Sequence, residues 1–182
     1  MMNVLIVDDD RLTRMGLINV MPWKQFGFQV VGEAANGLEA LEFMKTGHVD
    51  LVLSDIEMPG MQGLEFIERA SAQYPETYFV VLTIYTDFSK IQQALRLGAI
   101  DYIAKTDFDR ENDTVILKRI MDRINREKEK KGSGSRVSAG TLRTPGNDLI
   151  EQWCMLNWIT DQNAYNKLVT GLNDYVLPVS FL

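Results

Sequence analysis

The 182-residue chain reads as an α/β protein: a doubly wound, parallel sheet of five strands followed by a helical C-terminal extension. Two observations predict this. From Met2 to about Asn125, short apolar runs of strand length alternate with amphipathic stretches of helical spacing, the pattern of βα units wrapped around a parallel sheet. After Ile124 the chemistry changes abruptly, to the charge run REKEKK and then to a Gly-Ser-rich stretch without apolar periodicity.

The expected strands are Asn3 to Val7, Gln29 to Ala34, Leu51 to Ser54, Tyr78 to Thr83 and Asp101 to Ala104. The first two helices carry Leu12, Met15 and Leu17, then Leu38, Leu41 and Met44 as their apolar residues. The remaining three present Leu64, Ile67 and Ala70; Phe88, Ile91, Ala94 and Leu95; and Leu117, Ile120, Met121 and Ile124. The sequence thus divides into a domain over 1–127, a linker over 128–148 and a helical segment over 149–182. In that last segment Ile150, Trp153, Cys154 and Trp158 form one patch, and Tyr165, Leu168, Val169 and Leu172 another, after a cap at Thr160 or Asp161. It is too short to bury a core alone, so it is expected to begin a larger middle or output region.

Composition excludes several classes. A net charge of −6 and a pI near 4.9 argue against a nucleic-acid clamp, which normally shows a basic surface. The single cysteine, Cys154, cannot form an internal disulfide. No stretch approaches the length of a membrane span and no signal-like run precedes Val4, so the expected compartment is the cytoplasm.

Candidate chemistry gathers where parallel sheets bind ligands, outside the carboxyl ends of their strands. Asp8, Asp9 and Asp10 follow the first strand, Asp55 the third, and Lys105 the fifth, while Thr83 closes the fourth. Adjacent carboxylates repel by about 1 kcal/mol in water and by several at an effective dielectric near 20, so a cation is expected among them. Hard oxygen donors in small number suit Mg²⁺, with Mn²⁺ as a substitute. An ammonium at Lys105 can pair with Asp55 and with a phosphoryl oxygen, to which Thr83 can also donate. These parts fit phosphoryl transfer onto a carboxylate. Asp10 itself is a better helix cap than a ligand.

The order VDDD, LSDIEMPGMQGLE, VVLT and GAIDYIAK resembles the receiver domain of bacterial two-component response regulators, over roughly the first two-thirds of the chain. The resemblance implies a flavodoxin-like sheet of order 2-1-3-4-5. It also implies that Asp55 accepts a phosphoryl group from a sensor histidine kinase. Asp8, Asp9, Asp55 and the backbone carbonyl of Glu57 would hold Mg²⁺, Thr83 and Tyr102 would form a switch pair, and Lys105 would be the charge partner. The stretches PWKQFGFQVVGEAANGLEAL and YTDFSKIQQALRLGAIDYIAK are similar to receivers of regulators with an AraC-type DNA-binding domain. That implies a homodimer on phosphorylation, and DNA contact only through an output domain that this sequence does not contain. Thr106 stands where the family usually has a proline, and Gln62 where it more often has Asp. Two alternatives remain at this point. Asp8 and Asp10 also satisfy the Asp-x-Asp of haloacid-dehalogenase-type phosphatases, although Leu12 replaces the expected Thr or Val. A receiver acting as a phosphorylation-independent interaction module is the other.

Overall fold

The computed structural model describes residues 1–84, 88–108 and 112–133. The C-terminal segment 149–182, with both of its apolar patches, and linker residues 134–148 lie outside the described residues, as does the side chain of Phe88.

The elements alternate as the periodicity requires. They are β1 (Met2–Val7), α1 (Arg11–Val20), β2 (Phe28–Ala34), α2 (Gly37–Thr46), β3 (Leu51–Asp55), α3 (Gly63–Gln73), β4 (Tyr78–Thr83), α4 (Phe88–Arg96), β5 (Ala99–Ala104) and α5 (Asp113–Ser133). Short 3₁₀ turns occupy Trp23–Phe26 and Lys105–Asp107. Every strand pair is parallel, and the order is β2-β1-β3-β4-β5. The topology therefore matches the expected doubly wound arrangement.

Side chains alternate across each strand, and this splits the core into two layers. On one face Leu5, Val7, Val52, Phe79 and Val81 pack with Ala40 and Met44 of α2, Phe66, Ile67 and Ala70 of α3, and Ala94 of α4. On the other, Val4, Ile6, Leu51, Leu53, Val80, Leu82 and Ile103 pack with Leu17 of α1 and Ile116, Leu117, Ile120 and Ile124 of α5. Phe66, enclosed completely, gains about 2–3 kcal/mol from leaving water. Among the described residues, no helix is long and apolar enough to cross a membrane.

Two helix orientations go beyond what the apolar residues alone define, and one boundary needs correction. In α1, Leu12 is 77% and Met15 45% exposed, whereas Arg14 and Leu17 are buried; the inward line of this helix starts with a guanidinium because its partners are buried carbonyls beneath the helix. In α2, Leu38 is exposed and Ala40 takes the inward position. Residues 128–133 belong to α5 rather than to a linker. Lys, Glu and Arg are good helix formers, Lys130 pairs with Glu127, and the ammonium of Lys131 donates to the Pro75 carbonyl at 2.9 Å while lying 5.5 Å from the centre of the Tyr78 ring.

The edge strand β5 is closed at Tyr102 by side chains of β5 and α5. Tyr102 N–H donates to the Asp101 carboxylate at 2.9 Å, Arg119 of α5 pairs with that carboxylate at 3.0 Å, and the same guanidinium donates to the Tyr102 carbonyl at 3.0 Å. Burial pushes the Asp101 carboxyl above its ordinary range, with Arg119 pulling against it.

Candidate functional site

β1 ends in Val7, and the chain must then turn into α1, so Asp8, Asp9 and Asp10 form that turn. Asp8 points inward and has no exposed surface; its Oδ1 accepts from Asp10 N–H at 2.9 Å. Asp10 caps α1 instead of turning inward, accepting from Leu12 N–H at 2.9 Å and from the Thr13 hydroxyl at 2.9 Å, and these bonds hold its carboxyl below the ordinary value.

Arg14 fixes this turn from beneath. Its Nη1 donates to the carbonyl of Asp8 at 2.6 Å and to that of Asp9 at 3.3 Å, while its Nε pairs with Glu33 of β2 at 3.1 Å. Two main-chain acceptors that would be costly to bury alone are thereby satisfied.

Asp55 is the last residue of β3 and is 5% exposed. Its Oδ1 accepts from Ile56 N–H at 2.7 Å. Gly63 opens α3 directly against it, donating to the Ile56 carbonyl at 2.9 Å; a Cβ at residue 63 would lie 1.8 Å from the Asp55 carbonyl oxygen. The turn before α3 is made by Gly60, whose φ of +77° lies in the left-handed region.

Lys105 follows β5 and brings its Nζ to 2.6 Å from Asp8 Oδ2 and 2.7 Å from Asp55 Oδ2. Burial strongly disfavours charge on Asp8 and moves its carboxyl above the ordinary 3.8, although Lys105 pulls the other way. Burial would likewise lower Lys105, but its bonds to Asp55 and Asp8 outweigh that and move it upward.

A cleft of about 320 Å³ opens over these groups, with Asp9, Asp55, Glu57, Thr83, Lys90 and Lys105 in its walls. Thr83, at the end of β4, is 6% exposed. Asp8, Asp9 and Asp55 each offer a carboxylate oxygen, all within 4.8 Å of one another. Such a hard-oxygen set, facing a single shared ammonium, suits a divalent cation of the Mg²⁺ type. Tyr102 sits three residues before Lys105, partly buried against the layer that holds α2, α3 and α4; it is not among the cleft walls.

The sequence-derived candidates Asp8, Asp9, Asp55, Glu57, Thr83 and Lys105 therefore converge at one strand-end rim. Two participants were not foreseen. Arg14 has a legible signal, a charged residue in phase with Leu17. Lys90 of α4 has none, for it pairs across the cleft with the Glu57 side chain, 33 residues away.

Comparison with known proteins agrees with this geometry. The family model described as the response regulator receiver domain matches residues 4–117. The uncharacterized transcriptional regulatory protein YesN of Bacillus subtilis is 34% identical over 58% of this chain and 28% of its own length. YhcZ of the same organism, also an uncharacterized transcriptional regulatory protein, is 42% identical over 57% of this chain and 48% of its own. The chain thus spans less than half the length of these relatives. Among solved structures, the receiver domain of AraT, a response regulator from Geobacillus stearothermophilus, superimposes with a TM-score of 0.63 at 33% identity, covering 70% of this chain and 98% of that one. An AraC two-component transcriptional regulator from Clostridium phytofermentans gives 0.61 at 28% identity, with the same coverage. With its sheet order, its acid-lined rim and a matching family model over most of the described residues, the chain belongs to the response regulator receiver domain family.

Proposed function

We propose that Asp55 accepts a phosphoryl group from a sensor histidine kinase and that the chain is a phosphorylation-controlled switch rather than an enzyme with a separate substrate. The observation that carries this reading is the Lys105 ammonium, bonded to both Asp8 and Asp55 with Asp9 alongside. Asp8, Asp9, Asp55 and the backbone carbonyl of Glu57 would hold Mg²⁺, or Mn²⁺, which when bound neutralises the acids and the incoming phosphoryl oxygens. Asp55 supplies the attacking oxygen, and Lys105 holds its carboxylate in place and balances the charge that arrives. Thr83 donates its hydroxyl to the phosphoryl group, and its inward movement leaves space for Tyr102.

Movement of Tyr102 alters the face made by α4, β5 and α5, and a bias of a few kcal/mol suffices to invert a two-state population. That face would form a homodimer and so pair output domains of the AraC type, which would make any DNA contact. The transcriptional relatives support such an output, and a cytoplasmic location goes with it. The same reading treats the segment from residue 149 onward as the start of the output region.

A haloacid-dehalogenase-type reaction at Asp8 is disfavoured by geometry, since Asp8 is fully enclosed with one oxygen on Asp10 N–H and the other beside Lys105, while Asp10 is tied up as a cap. A purely phosphorylation-independent module would not need the acid, hydroxyl and lysine kept together. The test is labelling by acetyl phosphate with Mg²⁺. Asp55→Asn is expected to abolish the label; undiminished labelling refutes the assignment, and label on Asp8 favours the phosphatase.

A further inference from the structure

Inside the cleft, exposure rises from floor to rim. Asp55, Thr83 and Lys105 are nearly enclosed, with the side chain of Lys105 only 11% exposed, whereas the side chains of Lys90 and Glu57 are 38% and 62% exposed. Lys90 of α4 and Glu57 of the β3–α3 loop are joined by an ion pair across the mouth. Lys90 and Lys105 are the cations in the cleft wall among the described residues, and Lys105 is already shared by two carboxylates.

We propose that Lys90, held over the cleft by Glu57, serves as a second ammonium for the phosphoryl group on Asp55 and sets how long that group survives. The inference rests on the phosphoacceptor reading above. Lys105 has three N–H donors and spends two on Asp8 and Asp55, so it can give the phosphoryl group little more than one. A phosphoryl group carries three acceptor oxygens and close to two negative charges. An ammonium poised at the rim has three N–H donors, so with a short side-chain movement it can give one to the outward oxygen while another stays on Glu57.

Loss of the phosphoryl group is hydrolysis. A water oxygen attacks phosphorus, the bond from phosphorus to the Asp55 oxygen breaks with its electron pair staying on the carboxylate, and inorganic phosphate leaves with the water's proton passing to it or to solvent. The floor of the cleft is closed by buried protein groups, so water enters from its open side, where the exposed Lys90 and Glu57 form part of the wall. Lys90 therefore shields the phosphoryl group, and Glu57 is the positioning residue that keeps it there. Glu57→Gln leaves the backbone carbonyl of residue 57 in place, so that variant changes the side chain without deleting the proposed metal ligand.

The experiment labels the full chain with radioactive acetyl phosphate at saturating Mg²⁺, removes the donor and follows first-order loss of label. Lys90→Met is expected to shorten the lifetime about fivefold, Lys90→Arg to stay near wild type, and Glu57→Gln to shorten it by a smaller factor, with Glu57→Gln/Lys90→Met no worse than Lys90→Met alone. Decay of Lys90→Met within about 1.5-fold of wild type overturns the inference. So does decay of Lys90→Arg as fast as that of Lys90→Met, or full additivity in the double variant. Failure of the wild-type chain to take label overturns the receiver reading and this inference with it, whereas normal label with unchanged decay overturns this inference alone.

Discussion

Replacing Lys105 by Met tests whether the acid cluster is held together by charge. The perturbation keeps a flexible, unbranched side chain about as long as the lysine's carbon stem and deletes the ammonium that lies 2.6 Å from Asp8 and 2.7 Å from Asp55. At an effective dielectric near 20 each contact is worth about 6 kcal/mol of Coulomb energy. Most of that is offset by the cost of drying three ions, and breaking a buried pair by removing one partner typically costs about 3–5 kcal/mol. Lys105 is slightly exposed and the cleft admits water, so the lower figure, about 3 kcal/mol, applies at neutral pH without divalent metal. The pH dependence has a definite sign. Asp8 has a raised carboxyl in the folded chain, so between its ordinary 3.8 and that raised value the native state binds more protons than the unfolded one. Its contribution to stability is present at the acidic end and is lost as pH rises through the folded value. Without Lys105 the folded value rises further, so the deficit of the variant shrinks on acidification. Urea unfolding followed by circular dichroism, with a chelator, at about pH 7.5 and about pH 5, gives both numbers. A deficit below about 1 kcal/mol at the higher pH, or one that widens at the lower pH, refutes the reasoning.

Other outcomes follow from single contacts. Gly63→Ala puts a methyl group 1.8 Å from the Asp55 carbonyl oxygen, so α3 must shift; a loss of at least about 2 kcal/mol in thermal unfolding is expected, together with slower labelling at Asp55. Arg14→Met leaves the Asp8 and Asp9 carbonyls without their guanidinium, costing about 2 kcal/mol and, if Asp8 and Asp9 hold Mg²⁺ as proposed, weakening its binding in a titration, because the acid turn loses its support. Arg119→Met strips Asp101 of its ion pair, and its destabilisation is expected to be larger at neutral than at acidic pH, since burial already favours protonated Asp101.

The strands were legible because apolar runs bounded by polar turns leave little choice: β4 has the predicted ends, and β3 extends one residue further, into Asp55. β5 starts two residues before the expected Asp101, since Gly98, at a φ of +107°, makes the preceding turn and lets Ala99 pair with Phe79 before the register slips past Ile100 to Asp101. Among the site residues, those at strand ends could be placed from sequence, because a parallel sheet sends all of its carboxyl ends to one side. Lys90 could not, for its position depends on how α4 sits against the β3–α3 loop, which no local pattern encodes. The exposure of Leu12 and Met15 was likewise hidden: the three apolar residues of α1 define no clear face, and it is Arg14, bonded to the carbonyls of the acid turn, that shares the buried side with Leu17.

The closed middle of β5 bears on how copies of this protein can meet. A neighbouring sheet grows onto an edge by taking its outward amide and carbonyl groups, and at Tyr102 both are already engaged by Asp101 and Arg119. A contact made at that residue therefore runs through side chains, and a continuous ribbon of backbone bonds along the edge is interrupted there.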